Sequence, residues 1–157
     1  LSRVINELGG GFRGPVKALH IGGPLGGLVP PSAFDQLIIA FESFSQAGFL
    51  LGHGGMVAIP ESTRMIDYLT HLFEFTAAES CGKCFPCRLG SQRGMELLQQ
   101  AGRGAARIDR VLFDDLLETM ESGSLCALGG GVPLPVRHAL QYFAEELAPY
   151  FTGGASR

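Results

Sequence analysis

At 157 residues with 46% hydrophobic content, the chain can bury one substantial core, or two small ones that share an interface. Its 12 Lys+Arg against 15 Asp+Glu leave a net charge of -3, which excludes the basic footprint of a nucleic-acid binder, and its apolar stretches are too short for a membrane span. The 23 glycines gather at 9–11, 22–27, 52–55 and 129–131, between patterned segments, so they punctuate loops. The first residue, Leu1, falls inside a helical pattern, and the chain therefore reads as a piece of a longer polypeptide.

In chain order, Ser2 is placed to cap a short helix whose Val4, Ile5 and Leu8 share a face, with Gly9 to stop it. Pro15 to Ile21 carries β-compatible residues into the loop Gly22-Gly23-Pro24-Leu25-Gly26-Gly27. That loop has neither the G-x-G-x-x-G spacing nor the Gly-Lys-Ser/Thr of a phosphate site, so it reads as a turn in which glycine supplies positive φ. Gly52-His53-Gly54-Gly55 leads into a short strand, Met56–Pro60, ended by proline. Residues 1–61 are thus expected to form a small sheet with little helix. From Ser62 the apolar period lengthens. Ser62 is expected to cap a helix carrying Met65, Ile66, Leu69, Leu72, Phe73 and Thr76 on one face, running to about Ser80. A second helix is expected from about Arg88 to Ala101, using Met95, Leu97 and Leu98, with Gly102 as its stop. A third carries Leu112, Phe113, Leu116, Leu117 and Met120, with Gly123 as an αL cap. A fourth runs from about Pro135 through Val136, Ala139, Leu140 and Phe143 to Leu147, with proline in its first turn. The expected fold class is α+β, with residues 62–157 forming an antiparallel four-helix bundle.

All four cysteines fall in the expected interhelical loops. Cys81, Cys84 and Cys87 form a C-x-x-C-x-x-C run, and Cys126 stands alone further on. Two-residue gaps let three sulfurs of one segment converge on the irons of a cubane, and a remote fourth cysteine closes it, which is the ligand logic of a 4Fe-4S cluster. Structural zinc is an alternative, although it usually takes two separated C-x-x-C pairs. A disulfide needs an oxidising compartment, and no secretory pattern marks the opening residues. Lys83 and Arg88 flank the candidate ligands and are placed either to offset thiolate charge or to serve as ordinary surface cations. Gly82 and Gly90 are expected to let backbone amides approach the sulfurs. His20, His53, His71 and His138 show no ligand spacing, and Asp114, Asp115 and Glu118 read as a solvated helix face. No catalytic residue is assigned.

The segment Glu79-Ser80-Cys81-Gly82-Lys83-Cys84-Phe85-Pro86-Cys87-Arg88-Leu89-Gly90 resembles the E-S-C-G-x-C-x-P-C-R-x-G signature of the NADH-binding flavoprotein subunits of respiratory complex I, NAD-reducing hydrogenases and NAD-dependent formate dehydrogenases. Phe41 to Gly48 and Gly52 to Gly55 resemble that family's soluble-ligand-binding β-grasp (SLBB) domain. Ser124 to Gly129, with Pro135-Val136 and Tyr142-Phe143, resembles its fourth-ligand region, where the pattern leans toward the formate dehydrogenase β subunit. The resemblance implies an SLBB-like domain over 1–61 and a 4Fe-4S helical domain over 62–157. It also implies Cys81, Cys84, Cys87 and Cys126 as ligands of a 4Fe-4S cluster that exchanges electrons with a flavin mononucleotide reduced by NADH. The family's glycine-rich FMN and NAD site lies in an upstream domain whose motif is not among these residues, so the chain alone is not expected to oxidise NADH. Implied partners are that flavin domain, a 2Fe-2S thioredoxin-like subunit and a further iron-sulfur subunit, in the cytoplasm, without direct membrane insertion. Other readings are a zinc-stabilised structural or subunit-docking module, and a ligand-binding β-grasp module in which the cluster is secondary.

Overall fold

The computed structural model describes residues 1–153, and the chain divides into two units, Leu1–Thr63 and Arg64–Arg157. In the first unit, strands β1 (Val16–Ile21), β2 (Gly27–Val29) and β3 (Met56–Pro60) form an antiparallel sheet in the order β2-β1-β3. Leu19 stands opposite Val29 and Ile21 opposite Gly27 on one side, while Ile21 meets Met56 on the other. The central strand is buried along most of its length, whereas in β3 only Ile59 is buried, as suits an edge strand closed by proline. Leu19, Ile21, Val29, Leu37, Phe44, Phe49 and Leu51 make the core, and Leu1 and Ile5 join it. Helix α1 (Phe41–Gln46) contributes Phe44. The glycine loop is a turn: Gly22 and Gly23 have φ of 98° and 91°, and the Gly22 N–H donates to Gly55 O at 3.0 Å. His20 is buried, with its Nε2 3.0 Å from Gly26 O.

The opening helix departs from expectation. It is a π-helical turn, Val4–Leu8, preceded by Arg3, with no side-chain cap from Ser2. Of its three apolar residues only Ile5 is buried; Leu8 is 81% exposed. A turn wound with one extra residue does not keep three- and four-residue neighbours on one face.

The second unit is built on helices α2 (Met65–Glu79), α3 (Phe85–Gly102) and α4 (Arg110–Gly123). The α2 stripe is as expected, with Met65, Ile66, Leu69, Leu72, Phe73 and Thr76 all buried. Its start is not. Ser62 lies outside the helix, the N-cap is Arg64 without a side-chain bond, and the free Met65 N–H donates to Glu146 Oε1 at 2.7 Å. A carboxylate from later in the chain takes the capping role that the sequence suggested for a serine. Helix α3 presents a face of small residues, Cys87, Gly90, Ser91, Gly94 and Ala101, with Leu98. A Cβ at Gly94 would overlap the Phe73 ring, and one at Gly90 would sit 2.6 Å from Met120 Cγ. The two glycines therefore let α3 approach α2 and α4 closely, and Gly90 serves helix packing rather than sulfur approach.

On α4 the buried residues are Phe113, Leu117 and Met120, while Leu112 is 66% exposed. Gly123 is the last helical residue and not an αL cap; Ser124 turns out of the helix with extended ψ of 140°. Asp114 belongs to no solvated face, since it accepts from Arg110 Nε at 2.9 Å and its side chain is only 12% exposed.

A fourth long helix does not form. A short helix, α5 (Ala127–Gly131), precedes two others, α6 (Pro133–Tyr142) and α7 (Ala144–Leu147), that take its place. The glycine run costs α5 its helix propensity, Pro133 opens a new first turn, and Phe143, at φ -121° and ψ 32°, breaks the path before α7. Beyond α7, β5 (Phe151–Thr152) pairs in parallel with β4 (Ile108–Asp109). Phe113 lies between Phe73 and Phe151, at centroid distances of 6.2 and 5.5 Å. The unit is thus three long helices with a segmented fourth side and a two-stranded clip, not a four-helix bundle.

Candidate metal centre

Helix α2 ends at Glu79, and Ser80 turns the chain into extended backbone. Gly82 then takes φ of 76°, a conformation that disfavours any residue with a Cβ. Cys84 is the N-cap of α3, and Pro86 sits in that helix's first turn. Pro86 moves the helix start three residues ahead of the expected Arg88, because its fixed φ suits a first turn that needs no amide donor. Cys87 consequently lies within α3, not in the loop, and is 4% exposed. Cys84 is half-buried, and Cys81 and Cys126 are exposed.

The second segment is set by the end of α4. Ser124 N–H donates to Met120 O at 3.2 Å, and Cys126, with φ -148° and ψ 171°, is the N-cap of α5. Glycine then matters at one place. A Cβ at Gly129 would fall 2.6 Å from Cys87 Cβ and 3.0 Å from Cys87 Sγ, so the middle of the short helix α5 rests directly against the third cysteine. The two segments also meet at Cys84, where the Leu125 backbone N–H is the chief cause of a lowered thiol pKa, helped by hydrogen bonding from Cys87. Amide donors favour the thiolate over the thiol.

Ser80 supports the same group. Its Oγ accepts from Gly82 N–H at 3.3 Å and lies 3.4 Å from Cys87 Sγ, so hydroxyl and sulfur share a hydrogen bond in which the hydroxyl is the donor whenever the sulfur is a thiolate. Arg88 reaches back to Gly82 O at 3.3 Å while its guanidinium lies 4.8 Å from the Phe85 ring centroid; Lys83 is exposed. Sequence reasoning gives Ser80 and the Ser124 to Gly129 stretch only as parts of the segments that resemble the family, and assigns Ser80, Ser124, Leu125 and Gly129 no role of their own at the site.

Among the described residues no three His, Cys, Asp or Glu side chains are gathered closely enough to hold a metal as they stand. The donor set nevertheless fits a thiolate-bound metal group: all four cysteines are free thiols, one is held toward its thiolate by amides, and a buried hydroxyl, Ser124 Oγ, has no hydrogen-bond partner. Two of the histidines have local partners of their own. His53 accepts from Gly55 N–H within the first unit, and His138 packs on Tyr142.

A family model described as the NADH-ubiquinone oxidoreductase-F iron-sulfur binding region matches residues 67–150. The chain belongs to that family. Among curated relatives, the NADP-reducing hydrogenase subunit HndC of Solidesulfovibrio fructosivorans is 36% identical over 149 residues, covering 93% of this chain and 30% of the relative. The NADH-quinone oxidoreductase F-type subunit of Streptomyces coelicolor is 34% identical, over 96% of this chain and 34% of the relative. The crystal structure of an NAD+-reducing [NiFe]-hydrogenase in the H2-reduced state superposes with a TM-score of 0.78 at 25% identity, over 96% of this chain and 26% of that one. The chain therefore spans about a third of the length of the relatives it matches. It carries the iron-sulfur region of NADH-oxidoreductase-type subunits, and none of its described helices is long and apolar enough to cross a membrane.

Proposed function

We propose that Cys81, Cys84, Cys87 and Cys126 hold a 4Fe-4S cluster, and that the chain is the electron-relay part of an NAD-linked oxidoreductase subunit. The observation that carries this reading is the meeting of the two cysteine segments within a matched iron-sulfur region: Leu125 N–H on the Cys84 sulfur and Gly129 against Cys87. When bound, such a cluster takes up and releases one electron at a time. The chain's own residues prepare the ligands. Amides hold Cys84 toward its thiolate, Ser80 donates to Cys87 once that sulfur is a thiolate, and burial keeps water from the Cys87 side. The exposed Cys81 and Cys126 thiols supply the remaining two bonds.

A pyridine nucleotide gives up two electrons at once, so a flavin mononucleotide is needed between it and a one-electron carrier. We place FMN and NAD in an upstream domain of the parent subunit, with a 2Fe-2S thioredoxin-like subunit and a further iron-sulfur subunit as neighbours, in the cytoplasm. The relatives support a complex I or hydrogenase setting. The formate dehydrogenase lean rests on the Ser124 to Gly130 pattern with the Pro133-Leu134-Pro135-Val136 that follows, and the SLBB assignment of residues 1–61 rests on Phe41 to Gly48 and Gly52 to Gly55. Iron and sulfide analysis with EPR of the anaerobically reconstituted, dithionite-reduced chain tests the reading. Four irons and four sulfides with a cubane signal are expected. Stoichiometric zinc and no signal would put a structural zinc module in its place.

A further inference from the structure

We propose that the Ser124 hydroxyl donates a hydrogen bond to sulfur at the Cys87 corner of the cluster, and so raises its reduction potential; this rests on the cluster reading above. Ser124 Oγ is buried and, alone among buried side-chain N and O atoms of the described residues, has no hydrogen-bond partner. A buried hydroxyl left that way in a native protein calls for a missing acceptor or donor. The backbone fixes where that acceptor must be. Ser124 is held at the end of α4 by its N–H bond to Met120 O, and one point in space, where a Cβ at Gly129 would stand, lies 2.5 Å from Ser124 Oγ and 3.0 Å from Cys87 Sγ. The absence of a side chain at 129 is what lets hydroxyl and sulfur share that space.

A trapped water would need two to four polar partners. The nearest atoms to this point besides Ser124 Oγ are the Cys87 methylene and the Cys87 sulfur; Cys87 Sγ does not itself accept from Ser124 as the residues stand, so the acceptor would be sulfur brought within reach at this corner when the cluster is held. The Cys87 corner would then be flanked by hydroxyls from opposite loops, Ser80, 3.4 Å from Cys87 Sγ on the α2 side, and Ser124 on the α4 side. Reduction adds negative charge that spreads onto the ligand sulfurs, so a donor there stabilises the reduced form more than the oxidised one and the potential rises. Ser124 is a positioning and tuning residue; it bonds no iron.

The test is an EPR-monitored redox titration of the full chain after anaerobic reconstitution, with iron content measured in each sample. Ser124→Ala should titrate at a more negative midpoint than the parent at equal iron content. Ser122→Ala, whose hydroxyl is already bound to Glu118 O, should not move it. Resonance Raman spectra in D2O should show a smaller deuterium shift of the iron-sulfur stretches in Ser124→Ala than in the parent. An unchanged midpoint with an unchanged deuterium shift overturns the proposal. If the alanine variant fails to load iron, Ser124→Gly also removes the hydroxyl without adding volume, and a parent-like midpoint there overturns the proposal equally. A parent chain that shows no cubane signal would instead sink the cluster reading itself.

Discussion

Two glycines of α3 separate steric demand from conformational demand, because both are helical and neither needs positive φ. At Gly94 the obstacle is the buried, rigid ring of Phe73, whereas at Gly90 it is the flexible end of Met120. Gly94→Ala should therefore cost about 1–3 kcal/mol by overpacking, and Gly90→Ala clearly less. Urea unfolding of the two variants checks the order, and equal costs would mean that α3 does not rest on Phe73. The cysteines divide in a comparable way. Under the proposed ligand set, Cys126→Ala removes the one ligand from the second segment, so reconstitution should give a three-iron or unstable species. A full cubane signal with parental iron content would remove Cys126 from the site.

The elements show why some of this was legible in sequence and some was not. The α2 stripe and the strand Met56–Pro60 came through because each is decided locally, by periodicity or by a terminal proline. The α2 cap did not, because its carboxylate is Glu146, remote in sequence and invisible to a local rule. Gly90 reads as a point of sulfur approach and Gly94 carries no reading, because a glycine inside a helix has low propensity and its packing partner, Met120 or Phe73, is remote in sequence. The expected fourth helix failed for the opposite reason: the periodicity was present, but the turn at Phe143 cut the rod that it described. The cysteine spacing was readable, whereas the hydroxyls around Cys87 were not, since serine carries no spacing rule. Helix α4 gives an element-scale test. Asp109 Oδ1 accepts from the Val111 and Leu112 amides at 2.9 and 3.2 Å, so Asp109→Ala should destabilise the second unit by about 1 kcal/mol, and Asp109→Asn by less. A thermal melt that ranks the two variants otherwise would deny the cap its role.

Across the molecule, stability should respond to alkali through Tyr68, whose phenol burial pushes up from 10.0 to about 12. In that interval the unfolded chain ionises before the folded one, so stability is intact below pH 10 and declines as pH rises toward 12. Denaturant midpoints across that range check it, with Tyr68→Phe expected to flatten the decline. Iron loading should act on the second unit as a whole, since binding present only in the folded state adds to folding free energy. Hydrogen exchange should slow at residues 79–90 and 122–131 on reconstitution while the Leu69 and Leu117 stripes change little; identical exchange with and without iron would contradict this. The parallel clip between Ile108–Asp109 and Phe151–Thr152 bears on how the protein is made. On the ribosome, β5 emerges after every cysteine and after the whole of α4 that it helps to anchor, so the first cysteine segment must wait, exposed, through the synthesis of more than half of the second unit. Slow translation or early release across that interval should favour oxidised or misassembled thiols, and iron delivery is best timed to the appearance of Phe151 rather than of Cys126.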